Sequence, residues 1–221
     1  MDVPDCDQAR AIAEDLGDSV TFYKLGLELM MSGGYFDLLE WMLAQDRKVF
    51  ADLKFFDIPA TVGSAVRQLK DRGASFVTVH GNQSIMEAAA ENKGDELKVL
   101  AVTVLTSLDR GDLDDLGFDC DVEALVVSRA RRALEAGCDG VISSGLEAPK
   151  LREHVDNRLL VVTPGIRPVD NKPSEDQKRV VTVEKAFSNG ADYIVVGRPI
   201  RDAESPGAAA ESIQQTIAAQ F

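Results

Sequence analysis

Lys48-Val49-Phe50-Ala51-Asp52-Leu53-Lys54-Phe55-Phe56-Asp57-Ile58-Pro59-Ala60-Thr61 opens as an apolar, β-favouring run, turns charged, and then reaches a proline suited to the first turn of a helix. Lys48 to Leu53 reads as a strand, and the apolar spacing from Pro59 to Arg72 as the helix after it. A strand feeding directly into a helix is the repeating unit of a parallel sheet.

The unit recurs along the chain. Further strands are expected at Phe22 to Gly26, Phe76 to His80, Leu97 to Leu105, Gly140 to Ser143, Leu159 to Thr163 and Tyr193 to Gly197, and an eighth is implied by the stub Asp2-Val3. Between them lie helical patterns at Tyr35 to Ala44, Ser84 to Asn92, Val122 to Ala136, Glu147 to His154, Val183 to Asn189 and Gly207 to Ala219, with an earlier one marked by Ala9, Ile12, Ala13 and Leu16. Gly17, Gly73, Gly137 and Gly190 follow four of the helices, where a left-handed residue is wanted. Eight βα units in 221 residues predict an α/β fold, a (β/α)8 TIM barrel spanning residues 1–221 as a single domain. A full first strand would start several residues before Asp2, so that strand is expected to be truncated at the N-terminus. No Gly-x-Gly-x-x-Gly follows any strand, which argues against a dinucleotide-binding sheet.

A hydrophobic share of 45% suffices for a large core, and 24 basic against 37 acidic residues give a net charge of −13. Such a surface repels phosphate backbones and anionic lipid, so neither nucleic acid nor membrane is an expected partner. Cys6, Cys120 and Cys138 lack metal-site or disulfide spacing, and the amino terminus lacks a basic, apolar leader, so a reduced, cytoplasmic protein is expected. With only His80 and His154 available, chemistry must rest on other groups.

In such barrels chemistry sits at the carboxyl ends of the strands. Asp52 and Lys54, two apart, share one strand face, while Lys24 and Asp2 end the neighbouring strands. Four alternating charges are costly to desolvate unless they hold one another or a ligand. Asp57 reads equally well as a helix cap. At the far end, Thr163-Pro164-Gly165-Ile166-Arg167 and Gly197-Arg198-Pro199-Ile200-Arg201 follow the last two strands, where barrels commonly bind phosphate. Pro168 to Lys178 suits a lid, Gln177 could reach the phosphate, and Arg201 is expected to face solvent.

Asp52-Leu53-Lys54-Phe55-Phe56-Asp57-Ile58-Pro59 resembles the signature of the orotidine 5′-phosphate decarboxylase family. Asp2-Val3-Pro4, Lys24-Leu25-Gly26, Val104-Leu105-Thr106-Ser107, Thr163 to Arg167, Gln177 and Gly197 to Ile200 match its other landmarks in order. The resemblance implies decarboxylation of orotidine 5′-phosphate to uridine 5′-phosphate, the last step of de novo UMP synthesis, with no cofactor and no metal. It implies Lys24, Asp52, Lys54 and Asp57 as catalytic residues. Substrate contacts are implied from Asp2, Lys24, Asp52, Ile58, Thr61, Thr106, Pro164, Arg167, Gln177, Gly197 and Arg198. It further implies a homodimer in which Asp57 and Thr61 cross to the neighbouring subunit's site. Two alternatives remain: a magnesium-dependent phosphosugar decarboxylase or aldolase of the same barrel suite, and a noncatalytic nucleotide-sensing barrel.

Overall fold

Residues 1–167 and 179–221 are described by the computed structural model. Seven strands, β1 (Phe22–Leu25), β2 (Lys48–Phe55), β3 (Phe76–Val79), β4 (Lys98–Val102), β5 (Gly140–Ile142), β6 (Leu160–Thr163) and β7 (Tyr193–Ile194), form one parallel sheet in sequence order. Eleven helices are described: α1 (Cys6–Leu16), α2 (Leu27–Met31), α3 (Tyr35–Leu43), α4 (Pro59–Asp71), α5 (Gln83–Asn92), α6 (Arg110–Asp115), α7 (Val122–Glu135), α8 (Ala148–His154), α9 (Val183–Ser188), α10 (Arg198–Arg201) and α11 (Pro206–Ala218). The expected strand–helix alternation is present, and Gly17, Gly73, Gly137 and Gly190 all take positive φ. The short helices α2 and α6 have no counterpart in the sequence reading.

Asp2-Val3 does not form the expected eighth strand. What holds this segment is the Met1 nitrogen donating to the Lys24 carbonyl at 2.7 Å and the Arg201 guanidinium donating to the Asp2 carbonyl at 2.5 Å. Arg201, expected in solvent, instead clamps this segment. The residues Gln177 and the 168–178 lid expectation lie outside the described residues.

Apolar side chains fill two regions. Between sheet and helices, Leu25, Leu29, Leu38, Leu39, Met42 and Val49 are fully buried. On the inner face of the sheet, Phe50, Phe76, Leu100 and Val162 pack together with Phe22 and Val195. Phe22 of β1 meets Tyr193 of β7 edge to face at 6.1 Å, and both rings touch Phe76, so the two edge strands converge on one aromatic cluster. The sheet is therefore strongly curled.

At the amino ends of the strands the sequence repeats one device. Asp139 accepts the Val99 N–H at 2.8 Å and pairs with Lys93; Asp192 accepts the Val161 N–H at 2.7 Å and pairs with Arg152. Each aspartate opens a strand two residues after a left-handed glycine and fastens the neighbouring strand's start.

Gly140 in β5 tests this packing. A Cβ there would lie 2.6 Å from the Leu160 carbonyl oxygen and 2.8 Å from Leu100 Cδ2. Gly140→Ala should destabilise the fold by about 1–3 kcal/mol in denaturant unfolding.

Candidate active site

β2 does not run straight into its charged end. Ala51 pairs with Val77 and Phe55 with Val79, so four steps on β2 face two on β3, and Lys54 sits in the bulge with φ of 46°. A non-glycine residue in that region costs about 1–3 kcal/mol and persists only where its surroundings enforce it. Thr78 of β3 does so. Its fully buried hydroxyl accepts the Lys54 N–H at 2.9 Å and donates to Asp52 Oδ1 at 2.8 Å.

The same carboxylate takes two ammonium groups. Lys54 Nζ lies 2.8 Å from Asp52 Oδ1 and Lys24 Nζ lies 3.3 Å from Oδ2, with Asp2 completing the row at 3.4 Å from Lys24. Gly26 leaves room for this row, since a Cβ there would stand 3.2 Å from Asp2 Oδ1 and 3.4 Å from Lys24 Nζ. Burial would raise the Asp52 carboxyl, but Lys24, Lys54 and the Thr78 hydroxyl outweigh it and hold it below the usual carboxylate range. For Lys24, burial acts downward and is overcome by Asp52 and Asp2, which hold the ammonium above its ordinary value.

A cavity of about 680 Å³ opens over this row. Of the residues expected at the site, Asp2, Lys24, Asp52, Lys54, Thr106, Pro164, Arg167, Gly197 and Arg198 line it, with Phe22, Phe50 and Phe76 forming its floor. Arg201 lines it too, which sequence reasoning missed. The phosphate-end loops are shaped by backbone bonds: the Arg167 N–H donates to Val181 O at 2.9 Å, and α10 starts directly after Gly197.

Asp57, Ile58 and Thr61 do not line this cavity. They sit exposed on the turn and first turn of α4, where the Asp57 carboxylate accepts the Ile58 N–H at 2.6 Å. The residue at the cap position itself is Ile58, so Asp57 acts one place before it. Thr78 was missed because a lone threonine in Phe76-Val77-Thr78-Val79 looks like a strand former; its position facing Asp52 is a matter of register. Arg179 and Glu147 were also missed, being joined only in the folded chain.

A parallel, helix-covered, curled sheet with a charged row at the strand ends and two arginine-bearing loops lining the same cavity defines an α/β protein with its candidate site at the carboxyl ends of the strands. The chain belongs to the orotidine 5′-phosphate decarboxylase / HUMPS family, whose model matches residues 1–213. A Methylococcus capsulatus protein named orotidine 5′-phosphate decarboxylase is 65% identical over 217 residues, covering 98% of this chain and 89% of that one. The Nitrobacter winogradskyi protein of the same name is 48% identical, covering 99% and 90%. Among solved structures, orotidine 5′-phosphate decarboxylase from Lactobacillus acidophilus superposes with a TM-score of 0.86 at 35% identity, over 97% of this chain and 95% of that one.

The charge row carries a stability consequence. The lowered Asp52 carboxyl contributes stability that is present above its unfolded value of 3.8 and is lost as pH falls through the folded value. Asp52→Asn leaves Lys24 and Lys54 facing each other, and should cost about 2–4 kcal/mol at neutral pH, discounted for the partial exposure of Lys54. Urea titrations at pH 7 and pH 3 should show the gap between wild type and variant narrowing in acid.

Proposed function

We propose that the chain decarboxylates orotidine 5′-phosphate to uridine 5′-phosphate and carbon dioxide, without metal or organic cofactor, as the last step of de novo UMP synthesis. The observation that carries the reading is the Lys24–Asp52–Lys54 row sharing one cavity with Arg167 and Arg198. The family and the names of its relatives favour the same substrate.

Breaking the bond between C6 and its carboxylate leaves the electron pair on C6, where no ring carbonyl is placed to delocalise it. A preorganised cation beside that carbon lowers the barrier most. Lys54, fixed by Asp52 and by its own backbone bond to Thr78, is that cation, and its ammonium then gives a proton to C6 as the general acid. Asp52 holds Lys54 in place and faces the departing carboxylate. Asp2 and Lys24 contact the substrate beside Asp52, Thr106 contacts the base, and Pro164, Arg167, Gln177, Gly197 and Arg198 serve the phosphate and the lid. Phosphate binding far from C6 is expressed in the transition state rather than as ground-state affinity.

The catalytic unit in this reading is a homodimer of single-domain (β/α)8 barrels in the cytoplasm, with Asp2 beside Lys24 at the carboxyl end of β1. Asp57 and Thr61 reach the site of a second copy. Support comes from their position outside their own cavity and from the apolar residues exposed on the connections after β1 and β2: Met31 is 83% exposed, Phe56 70% and Ile58 66%. The magnesium-dependent alternative shares Asp52, Lys54 and Asp57, but Ile58-Pro59, Thr61 and Gly197-Arg198-Pro199-Ile200 weigh against it. A nucleotide sensor would need the arginine loops without the lysine–carboxylate row.

Turnover is followed by the absorbance change of orotidine 5′-phosphate. Activity should be unchanged by a chelator and should fall about 10³-fold or more in Lys54→Ala; a chelator-sensitive rate would favour the magnesium alternative. Arg198→Ala should lower kcat/KM far more for the nucleotide than for orotidine, equal losses contradicting its phosphate role. Inactive Lys54→Ala and Asp57→Ala chains, mixed and reassembled, should regain activity through one intact site per heterodimer. Continued inactivity in a demonstrated heterodimer would place Asp57 in its own chain's site.

A further inference from the structure

Arg179 is almost buried, with 12% of its side chain exposed, and it serves three acceptors. Nη1 donates to Glu147 Oε1 at 2.6 Å, while Nη2 donates to the carbonyls of Leu105 at 2.8 Å and Val104 at 3.2 Å. Those carbonyls belong to the connection after β4 that brings Thr106 to the cavity wall. Two residues further on, Val181 donates to the Gly165 carbonyl at 3.2 Å and accepts the Arg167 N–H at 2.9 Å, so it fastens the connection after β6. Val181 also packs against Gly145, where a Cβ would come within 2.6 Å of it.

A buried ion pair is a poor source of net stability, since well-packed apolar residues of similar volume serve as well or better. What the pair supplies is geometry. Only a planar guanidinium can hold a carboxylate and two carbonyls in a fixed fork. We infer that Arg179, held by Glu147, is a positioning residue that ties the connection after β4 to the connection after β6, so that a grip on one end of the cavity is felt at the other. Resting on the proposed substrate, this assigns the base end to Thr106 and the phosphate end to Gly165 and Arg167, and makes Arg179 the mechanical link between them.

Two readouts test the link. The first compares kcat/KM for orotidine 5′-phosphate and for orotidine in wild type, Arg179→Ala, Arg179→Lys and Glu147→Gln. The advantage that the phosphate confers should shrink roughly ten-fold in Arg179→Ala, within the usual range of coupling between sites, and only partly recover in Arg179→Lys. A residue needed for folding alone would reduce the active fraction equally for both substrates, so an unchanged ratio overturns the inference. Glu147→Gln keeps a hydrogen-bond acceptor and supplies a folded variant if Arg179→Ala does not fold; it should show a smaller shift of the same sign.

The second readout is amide hydrogen exchange of the ligand-free chain. Protection at Leu108, whose N–H bonds Leu105 O, and at Arg167 should fall together in Arg179→Lys while Val99 and Val161 stay protected. Loss at one connection without the other overturns the link. Wild-type turnover of orotidine 5′-phosphate separately decides the substrate, so failure of that reading is distinguishable from failure of this one.

Discussion

One carboxylate organises the site. Asp52 lies at the point where β2 stops being regular strand, and three donors converge on it: the ammonium groups of Lys24 and Lys54 and the hydroxyl of Thr78. Each makes sense only with the others. Without the two lysines, burial would push the carboxyl upward and favour its neutral form; without the carboxylate, two ammonium groups would face each other in a confined space. The left-handed backbone of Lys54 belongs to the same arrangement, because its N–H bonds the hydroxyl that also serves Asp52. Strain, charge and hydrogen bonding thus meet at one turn, where the backbone geometry follows from the chemistry the turn must present.

The two ends of the sheet divide the work. At the amino ends, Asp139 and Asp192 hold neighbouring strands in register through backbone N–H groups and pair with Lys93 and Arg152. Those four charges are used within the fold. At the carboxyl ends the loops are clamped instead of packed: Arg201 to Asp2, Arg179 to the connection after β4, Val181 to the connection after β6. Loops held by a few directional bonds keep the cavity open and its walls in place without filling it with side chains.

Much of this was legible in the sequence because it depends on local patterns. The alternation of apolar strands with amphipathic helices predicts the parallel sheet, and the left-handed glycines mark helix ends. Asp52 and Lys54 stand out as charges in a strand that should be apolar. Other features depend on register between distant segments. Thr78 matters because β2 slips by two residues against β3, and Phe55 rather than Leu53 ends the strand; neither shows in a run of valine and phenylalanine. Arg179 finds its carbonyl partners some 75 positions away in the chain. Arg201 looked like a solvent-facing helix residue, and only the path of Asp2 beneath it makes it a clamp. Asp2-Val3 read as a strand by analogy with its neighbours, yet its backbone is tied by single bonds to Lys24 and Arg201 where a ladder needs several.

The account turns on whether Lys54 faces C6 of a pyrimidine nucleotide closely enough to exchange a proton with it. Microscopic reversibility makes that directly observable: in deuterium oxide the chain should replace the C6 hydrogen of uridine 5′-phosphate by deuterium, seen as loss of that proton's NMR signal. Wild type should catalyse the exchange and Lys54→Ala should not. A wild-type chain that binds uridine 5′-phosphate and leaves its C6 hydrogen untouched would contradict the account.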